Sequence, residues 1–455
     1  MEKLFHPEKV AVIGVSPSPE NLGRNIVWNL IRFGFQGEVI CYGRRPGHIY
    51  GHRIHNELQH LPADIDVAVI LLPAPKVIEV VEVLSRRGTQ RFIIETGGFS
   101  EHGEEGERME KALRELAHKR KLKIVGPNCI GVTDRASGLV TSFMPLDPSK
   151  IHPGPVAVIA QSGGVGLSYV NLLCEEGLGI SKFVSMGNKL ILNEADFLHH
   201  LEKDPNTQMV LLYLEGISNG RAFYQALKGI SKPVVVHKAN VTEASAQIAR
   251  FHTAAMATRE EILTGAIVQA GKIRVVNNKQ ALAAVKALHL PPLKGNNLAI
   301  VSRSGGEAVL AADAAGNMGF QLPPYPQPFL DFVQSLFRAG VIRPTNPLDL
   351  GDLFDIVKYT EIIEEIVREE IFHGVVFLIQ LFDREWELVE YIMKRTREIC
   401  QTYQKPISLF LGGDLQKVMG AKALGIYPVF NSPHEAVEAM GFLLTPPRLP
   451  KTPWN

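Results

Sequence analysis

Cysteine is scarce. Cys41, Cys129, Cys174 and Cys400 are the only four in 455 residues, too widely spread for a disulfide framework and with no CxxC pair to hold zinc. They are expected as buried thiols in a reducing compartment. Charge of one sign is lacking too: 48 Lys and Arg face 47 Asp and Glu, a formal net charge of +1, so no overall field gathers nucleic acid or an anionic membrane. An anionic ligand must then be held by local groups. No apolar run is long enough to span a bilayer, and the amino-terminal MEKLFHPEKVAVIGV passes from charged residues straight into a strand-like segment, without an apolar signal core. A cytoplasmic protein is expected. There is also no Walker-type GxxxxGK[ST], so a P-loop nucleotide site is excluded.

What is present is α/β alternation. A chain of 455 residues exceeds what one core organises, and two to four domains are expected. Apolar, β-branched runs recur at Lys9–Gly14, Gly37–Tyr42, Val67–Leu72, Arg91–Glu95 and Leu122–Val125, separated by helix-length or loop segments, as in a doubly wound domain with a buried parallel sheet. Pro145, Pro148, Pro153 and Pro155 mark a linker, and a second set of strands comes next at Val156–Ala160, Ile180–Val184, Met209–Leu214 and Pro233–His237, with an apolar helix at Gln280–Leu288. After the stiff Pro291-Pro292-Leu293-Lys294-Gly295 the pattern restarts at Leu298, with strands near Gly374–Ile379 and Pro406–Leu411. The expected domains are 1–136, a linker at 137–154, 155–290 and 296–455. The second and third units share a strand followed by Ser-Gly-Gly, at Ser162-Gly163-Gly164 and Ser304-Gly305-Gly306, which suggests two flavodoxin-like units of related design.

Candidate ligand groups fall at strand ends. The first strand runs into Gly14-Val15-Ser16-Pro17-Ser18 and then a helix; a glycine here lets a phosphate approach the backbone, and the helix N-terminus offers free N–H groups. The match to GxGxxG is partial, since Ser16 replaces the second glycine. At the end of the second strand, where an NAD site has a carboxylate, stand Arg44 and Arg45, suited to a ribose phosphate, which CoA and NADP both carry, or equally to a solvated basic turn. The same sheet edge is expected to bear the loops containing Pro73 and Ala74, and Gly97. In the second unit, Gln161-Ser162-Gly163-Gly164 opens a helix directly after a strand, as an oxyanion cradle or simply as close packing through glycine. His252, in Arg250-Phe251-His252-Thr253-Ala254-Ala255, has small neighbours that permit the close approach a covalent nucleophile requires, although the residues alone favour a structural or surface histidine; Glu215, ending a buried strand, could orient an imidazole or serve as a cap or salt-bridge partner.

Taken together, these segments resemble the α-subunit of NDP-forming (ADP-forming) acyl-CoA synthetases, in the succinyl-CoA synthetase superfamily. The resemblance runs from Leu4 to Leu444 through VAVIGVSPSPENLG, VAVILLPAPKVIEVVE, the Thr96–Gly106 segment, GPNCIGV (Gly126–Val132), VAVIAQSGGVG, FVSMGNKLILNEADFLHHLEKDP, LLYLEGI, FHTAAMATREEILTGAIVQAGKIRV, LAIVSRSGG and TNPLDL (Thr345–Leu350). It implies a Rossmann-like CoA-binding domain followed by two flavodoxin-like doubly wound domains. It also implies an acid-CoA ligase in which acyl-CoA and phosphate give acyl phosphate and free CoA, His252 takes the phosphoryl group, and phosphohistidine passes it to ADP.

By the same resemblance, Glu215 holds the imidazole and Gln161, Ser162, Gly163 and Gly164 bind the phosphoryl oxygens. CoA would lie along Gly14, Ser16, Pro17, Ser18, Arg44, Arg45, Pro73, Ala74, Gly97 and Asn128, with no metal bound by this chain. ADP or ATP with Mg would sit on a separate ATP-grasp β-subunit, in a heterotetramer, since no ATP-grasp region follows Leu444. One stretch departs from the family pattern: Phe251, Ala254 and Thr258 stand where the histidine loop usually carries serine and glycine, and the loop at Lys238–Ala244 is glycine-poor. Added side chains narrow and stiffen such a loop. A non-catalytic or regulatory CoA-binding protein of the same fold is therefore the alternative reading, and an NADP-dependent oxidoreductase a third, supported by the first domain alone.

Overall fold

A computed structural model describes residues 1–245, 260–336, 345–351 and 353–444. They form two compact units, one of Met1–Cys174 with Gly179–Val276 and the other of Glu175–Leu178 with the residues from Asn277 onward. His252, with Phe251, Ala254 and Thr258, lies outside the described residues.

The first unit holds two sheets. The first is built from β1 (Lys9–Ile13), β2 (Glu38–Tyr42), β3 (Gly47–Ile49), β4 (His52–His55), β5 (Val67–Ile70), β6 (Arg91–Ile94) and β7 (Lys123–Val125), in the order β3-β4-β2-β1-β5-β6-β7. All pairings are parallel except the β3–β4 hairpin. Strand alternation sends Val10, Val12, Val67 and Val69 into one core, and Ala11, Ile13, Ala68 and Ile70 into another beneath the helices Ala74–Arg86 and Gly103–Arg120. Burial on both faces explains why these strands are continuously apolar. The strand order reverses between β1 and β5, which makes that crevice the topological switch point of a Rossmann-type sheet.

The second sheet comprises β8 (Val132–Asp134), β9 (Leu139–Val140), β10 (Pro153–Ala160), β11 (Ile180–Ser185), β12 (Met209–Leu214), β13 (Val234–Lys238) and β14 (Ile273–Val275). Its order is β14-β13-β12-β10-β11-β8-β9. The parallel strands β11-β10-β12-β13-β14 adopt the flavodoxin-like 2-1-3-4-5 order, with the switch point between β10 and β12. β8 and β9, on either side of the boundary expected at residue 136, both join this sheet, β8 antiparallel to β11 and β9 antiparallel to β8. One core runs from Val10 and Val12 through Val125, Cys129 and Val132 to Val184, Val210 and Val236, so the two sheets of this unit are packed together.

In the second unit, β15 (Leu298–Ser302), β16 (Leu348–Asp349), β17 (Gly374–Gln380), β18 (Ile407–Gly412) and β19 (Val429–Phe430) form a parallel sheet in the order β16-β15-β17-β18-β19. This repeats the 2-1-3-4-5 order, so the two units that share Ser-Gly-Gly also share a topology. The helix Asn278–Ala287 falls in this second unit. Among the described residues no helix is long and apolar enough to cross a membrane, and all four cysteines are buried free thiols.

Candidate active site

At the β1/β5 switch point the backbone leaves almost no room. Gly14 has φ 110°, and a Cβ there would lie 2.1 Å from the Leu71 carbonyl oxygen; a Cβ on Gly43 would lie 2.0 Å from that of Val15. These two glycines let the ends of β1, β2 and β5 converge. Asn21 closes the loop after β1: its Nδ2 donates to the Gly14 carbonyl at 3.0 Å, and its Oδ1 accepts from the N–H groups of Ser16 and Arg24, both at 2.9 Å. It thereby caps the helix Leu22–Arg32, as an Asx side chain does well. Pro17 and Ser18 project from this loop exposed, with Gly47 next to the Pro17 ring. Arg44 and Arg45 are exposed, and neither guanidinium has a hydrogen-bond or ion-pair partner among the described residues.

Further along the same edge, Pro73 precedes the helix that begins at Ala74, and the Leu72 N–H donates to Thr96 Oγ1 while Thr96 Oγ1 donates to the Leu72 carbonyl. Gly97 is exposed, and a Cβ on it would sit 3.3 Å from Asn128 Oδ1. Asn128 itself has φ 60°, and its N–H donates to the Thr96 carbonyl at 2.9 Å. The edge thus gathers Gly14, Ser16, Pro73, Ala74, Gly97 and Asn128 at successive strand ends, with the two exposed arginines after β2.

The second switch point carries the other constellation. Gln161 follows β10 and Glu215 follows β12. Gln161 Oε1 accepts from the backbone N–H of Glu215 at 3.0 Å and of Gly216 at 3.1 Å. Its carbonyl oxygen is thus engaged in holding the neighbouring strand end. Ser162 and Gly163 are partly exposed and Gly164 exposed, at the start of the helix Gly163–Glu175. A Cβ on Gly163 would meet Ile130 at 2.6 Å, whereas one on Gly164 would meet nothing within 4 Å. Gly163 therefore serves close packing and Gly164 leaves open space beside the helix N-terminus.

Tyr213 and Lys238 feel the charge of Glu215, and further titratable groups neighbour them. Burial, and then the Glu215 charge, push the Tyr213 hydroxyl up to about 12. Lys238, at the end of β13, is buried; desolvation brings its ammonium down to about 8, with Glu260 opposing. Arg274 donates to Glu260 Oε1 through Nη2 at 2.6 Å and Nε at 3.0 Å, and its buried Nη1 has no hydrogen-bond partner among the described residues. Burial and then the Arg274 charge lower His237 to about 4, so this ring, hydrogen-bonded to the Tyr169 hydroxyl, is neutral at physiological pH. A carboxylate, buried cations and an open helix N-terminus at one sheet edge suit the handling of a phosphoryl oxyanion.

Residues 8–135 match a CoA binding domain family, and residues 153–288 a succinyl-CoA ligase like flavodoxin domain family. The α-subunit of acetate–CoA ligase [ADP-forming] I from Pyrococcus furiosus is 32% identical over 456 residues, covering 97% of each chain. The chain belongs to the α-subunits of the ADP-forming acyl-CoA ligases.

Acetate–CoA ligase [ADP-forming] II of Archaeoglobus fulgidus is 31% identical over 97% of this ligase chain, which spans 66% of that protein's length. Among solved structures, the dinucleotide forming acetyl-coenzyme A synthetase 1 of Ca. Korarchaeum cryptofilum, in complex with phosphate and ADP, superposes with a TM-score of 0.88 at 28% identity, over 97% of this chain and 96% of that one.

Four side chains of this ligase subunit that sequence reasoning did not single out complete the geometry. Asn188 and Lys189 follow β11, and Lys238 and Asn240 end and follow β13. Lys189 Nζ donates to the Gly216 carbonyl at 2.6 Å, and Asn240 Nδ2 to the Glu215 carbonyl at 3.3 Å. Their position was the available signal: each lies at a carboxyl end of a parallel strand, where open α/β sheets bind ligands.

Proposed function

We propose that this chain is the CoA-binding, histidine-bearing subunit of an acid-CoA ligase that interconverts acyl-CoA, ADP and phosphate with carboxylic acid, CoA and ATP. CoA lies across the β1/β5 crevice, its phosphates at the Gly14–Ser18 loop and the free guanidinium groups of Arg44 and Arg45, with the chain passing Pro73, Ala74, Gly97 and Asn128. The fit rests on a backbone stripped of Cβ atoms at the crevice and on two cations with no partner among the described residues. Phosphate attacks the thioester carbonyl, CoA leaves as its thiol, and the acyl phosphate gives its phosphoryl group to the His252 imidazole, releasing the carboxylic acid. The N-terminus of the helix Gly163–Glu175, with Ser162 and Gly164, stabilises the transferring oxyanion, and Glu215 fixes the imidazole tautomer. Phosphohistidine then carries the group to ADP, held with Mg on an ATP-grasp β-subunit in a heterotetramer. The α-subunit relatives and the lack of a P-loop support a separate nucleotide-binding partner.

The observation that carries this reading is that one compact unit presents both switch points, a glycine-lined crevice and a clamped Glu215 beside an open helix N-terminus. The test is phosphorylation of the chain with its β-subunit and γ-labelled ATP. Acid-labile label is expected on His252 and is lost in His252→Asn, while Glu215→Gln slows labelling by about 10²-fold. An unlabelled wild-type chain under every condition would leave the non-catalytic CoA-binding reading. Acetate, the acid in the relatives' names, is the first to assay.

A further inference from the structure

We infer that the loop Met186–Leu190 is a double positioning element, in which Asn188 sets the CoA-facing loop and the adjacent Lys189 sets the Glu215–Gly216 peptide. The functional meaning of the two halves rests on the reading above; the positioning itself rests on geometry.

The loop is anchored as if it extended the first sheet. Asn188 N–H donates to the Pro127 carbonyl at 2.9 Å, Leu190 N–H to that of Gly126 at 3.0 Å and Leu192 N–H to that of Ile124 at 3.1 Å. Gly187 has φ 56°, and a Cβ on it would stand 2.2 Å from the Pro127 carbonyl oxygen, so the approach is only possible for glycine. From this fixed base two side chains leave for different targets, aided by the left-handed φ of 55° at Lys189.

Asn188 reaches the CoA edge. Its Nδ2 donates to Glu101 Oε2 at 2.7 Å, Glu110 Oε2 at 3.0 Å and Ser100 Oγ at 3.2 Å, and its Oδ1 accepts from Asn128 Nδ2 at 3.4 Å. The other oxygen of Glu101 accepts the N–H groups of Gly98 and Phe99. Asn188 therefore fixes the carboxylate that shapes the Gly97–Phe99 turn.

Lys189 reaches the opposite way. Its side chain is 6% exposed, and Nζ sits 3.0 Å from Glu194 Oε2 and 2.6 Å from the Gly216 carbonyl oxygen. With Gln161 on the two N–H groups and Asn240 on the Glu215 carbonyl, all four backbone polar groups of Glu215 and Gly216 are held by side chains. What these bonds leave to Glu215 is its own side chain, which lies within hydrogen-bond reach of the Tyr213 hydroxyl.

The variants are Asn188→Ala and Lys189→Met combined with Glu194→Gln, the second change preventing an unpaired buried carboxylate from unfolding the protein. With the β-subunit present, N188A should raise KM for CoA about tenfold more than it slows His252 phosphorylation, and K189M/E194Q should do the reverse. Lys189→Arg should recover part of the phosphorylation rate. Hydrogen exchange reads the same split without activity. Amides of 96–99 should exchange about tenfold faster in N188A, and those of 213–217 about tenfold faster in K189M/E194Q. Either variant loosening both segments alike, or neither, overturns the inference. A wild-type chain that never labels at His252 overturns the proposed function instead, and exchange alone then decides the positioning.

Discussion

Glu95, where β6 ends, is a buried carboxyl with no cation paired to it among the described residues. It is 3% exposed, and both carboxylate oxygens are buried with no hydrogen-bond partner among the described residues. A Cβ on Gly131 would lie 2.5 Å from Oε1, so the packing around it is tight. Burial pushes this carboxyl well above its usual range, against the weaker pull of the nearby Phe143 N–H. In the folded protein it therefore keeps a proton that the unfolded chain loses above about pH 4.3. Between that pH and the raised folded value the folded state binds more protons, and stability falls as pH rises, with a slope approaching about 1.4 kcal/mol per pH unit. Glu95→Gln keeps the shape and removes the proton. Its urea midpoint should exceed that of the wild type at pH 8 by more than at pH 5, and parallel pH profiles would show that the carboxyl is not held neutral.

At the scale of the element, the strand-to-helix turn after β1 is governed by Gly14. Alanine there combines a φ of 110° with a Cβ 2.1 Å from the Leu71 carbonyl, whereas Gly34, at φ 79°, has nothing within 4 Å of an added Cβ. Gly34→Ala should cost about 1 kcal/mol from backbone strain alone. Gly14→Ala should cost more, and it alone should weaken CoA binding, because only its side chain spreads β1 from β5; thermal midpoints and titration calorimetry with CoA compare the two. Such turns were legible because glycine after an apolar β-branched run has a local meaning. The main strands were legible for the same reason, from Lys9–Ile13 to Ile407–Gly412. β8, β9 and β16, of two or three residues, carry too short a pattern to be read; β8 and β16 are recruited by partners far along the chain, and β9 joins through its hairpin with β8. Gln161 was singled out for oxyanions, yet its carbonyl oxygen grips the Glu215 and Gly216 N–H groups. Asn188 and Lys189 went unseen because what they touch, Glu101 and Gly216, is fixed only by tertiary structure.

The whole of the first unit depends on how its two sheets are joined, and a buried ion cluster sits at that joint. Lys182, in the middle of β11 and 0% exposed, lies 2.7 Å from Asp134 Oδ2 in β8 and 3.0 Å from Asp204 Oδ2, with its ammonium 5.3 Å from the Phe5 ring of the N-terminal helix Glu2–Phe5. The cluster thus ties the chain start, the crossing strand β8 and the second sheet into one core. Taking these charges out of water offsets much of their mutual attraction, so the intact cluster adds little net stability while the loss of one member is costly. Lys182→Met leaves two buried carboxylates without their cation and should destabilise the unit by about 3–5 kcal/mol. Adding Asp134→Asn and Asp204→Asn to Lys182→Met removes the stranded charges and should restore most of that loss, which calorimetry can track as a single transition because the two sheets share one core. If the triple variant is no more stable than K182M alone, the loss arises from packing around β11 rather than from uncompensated charge.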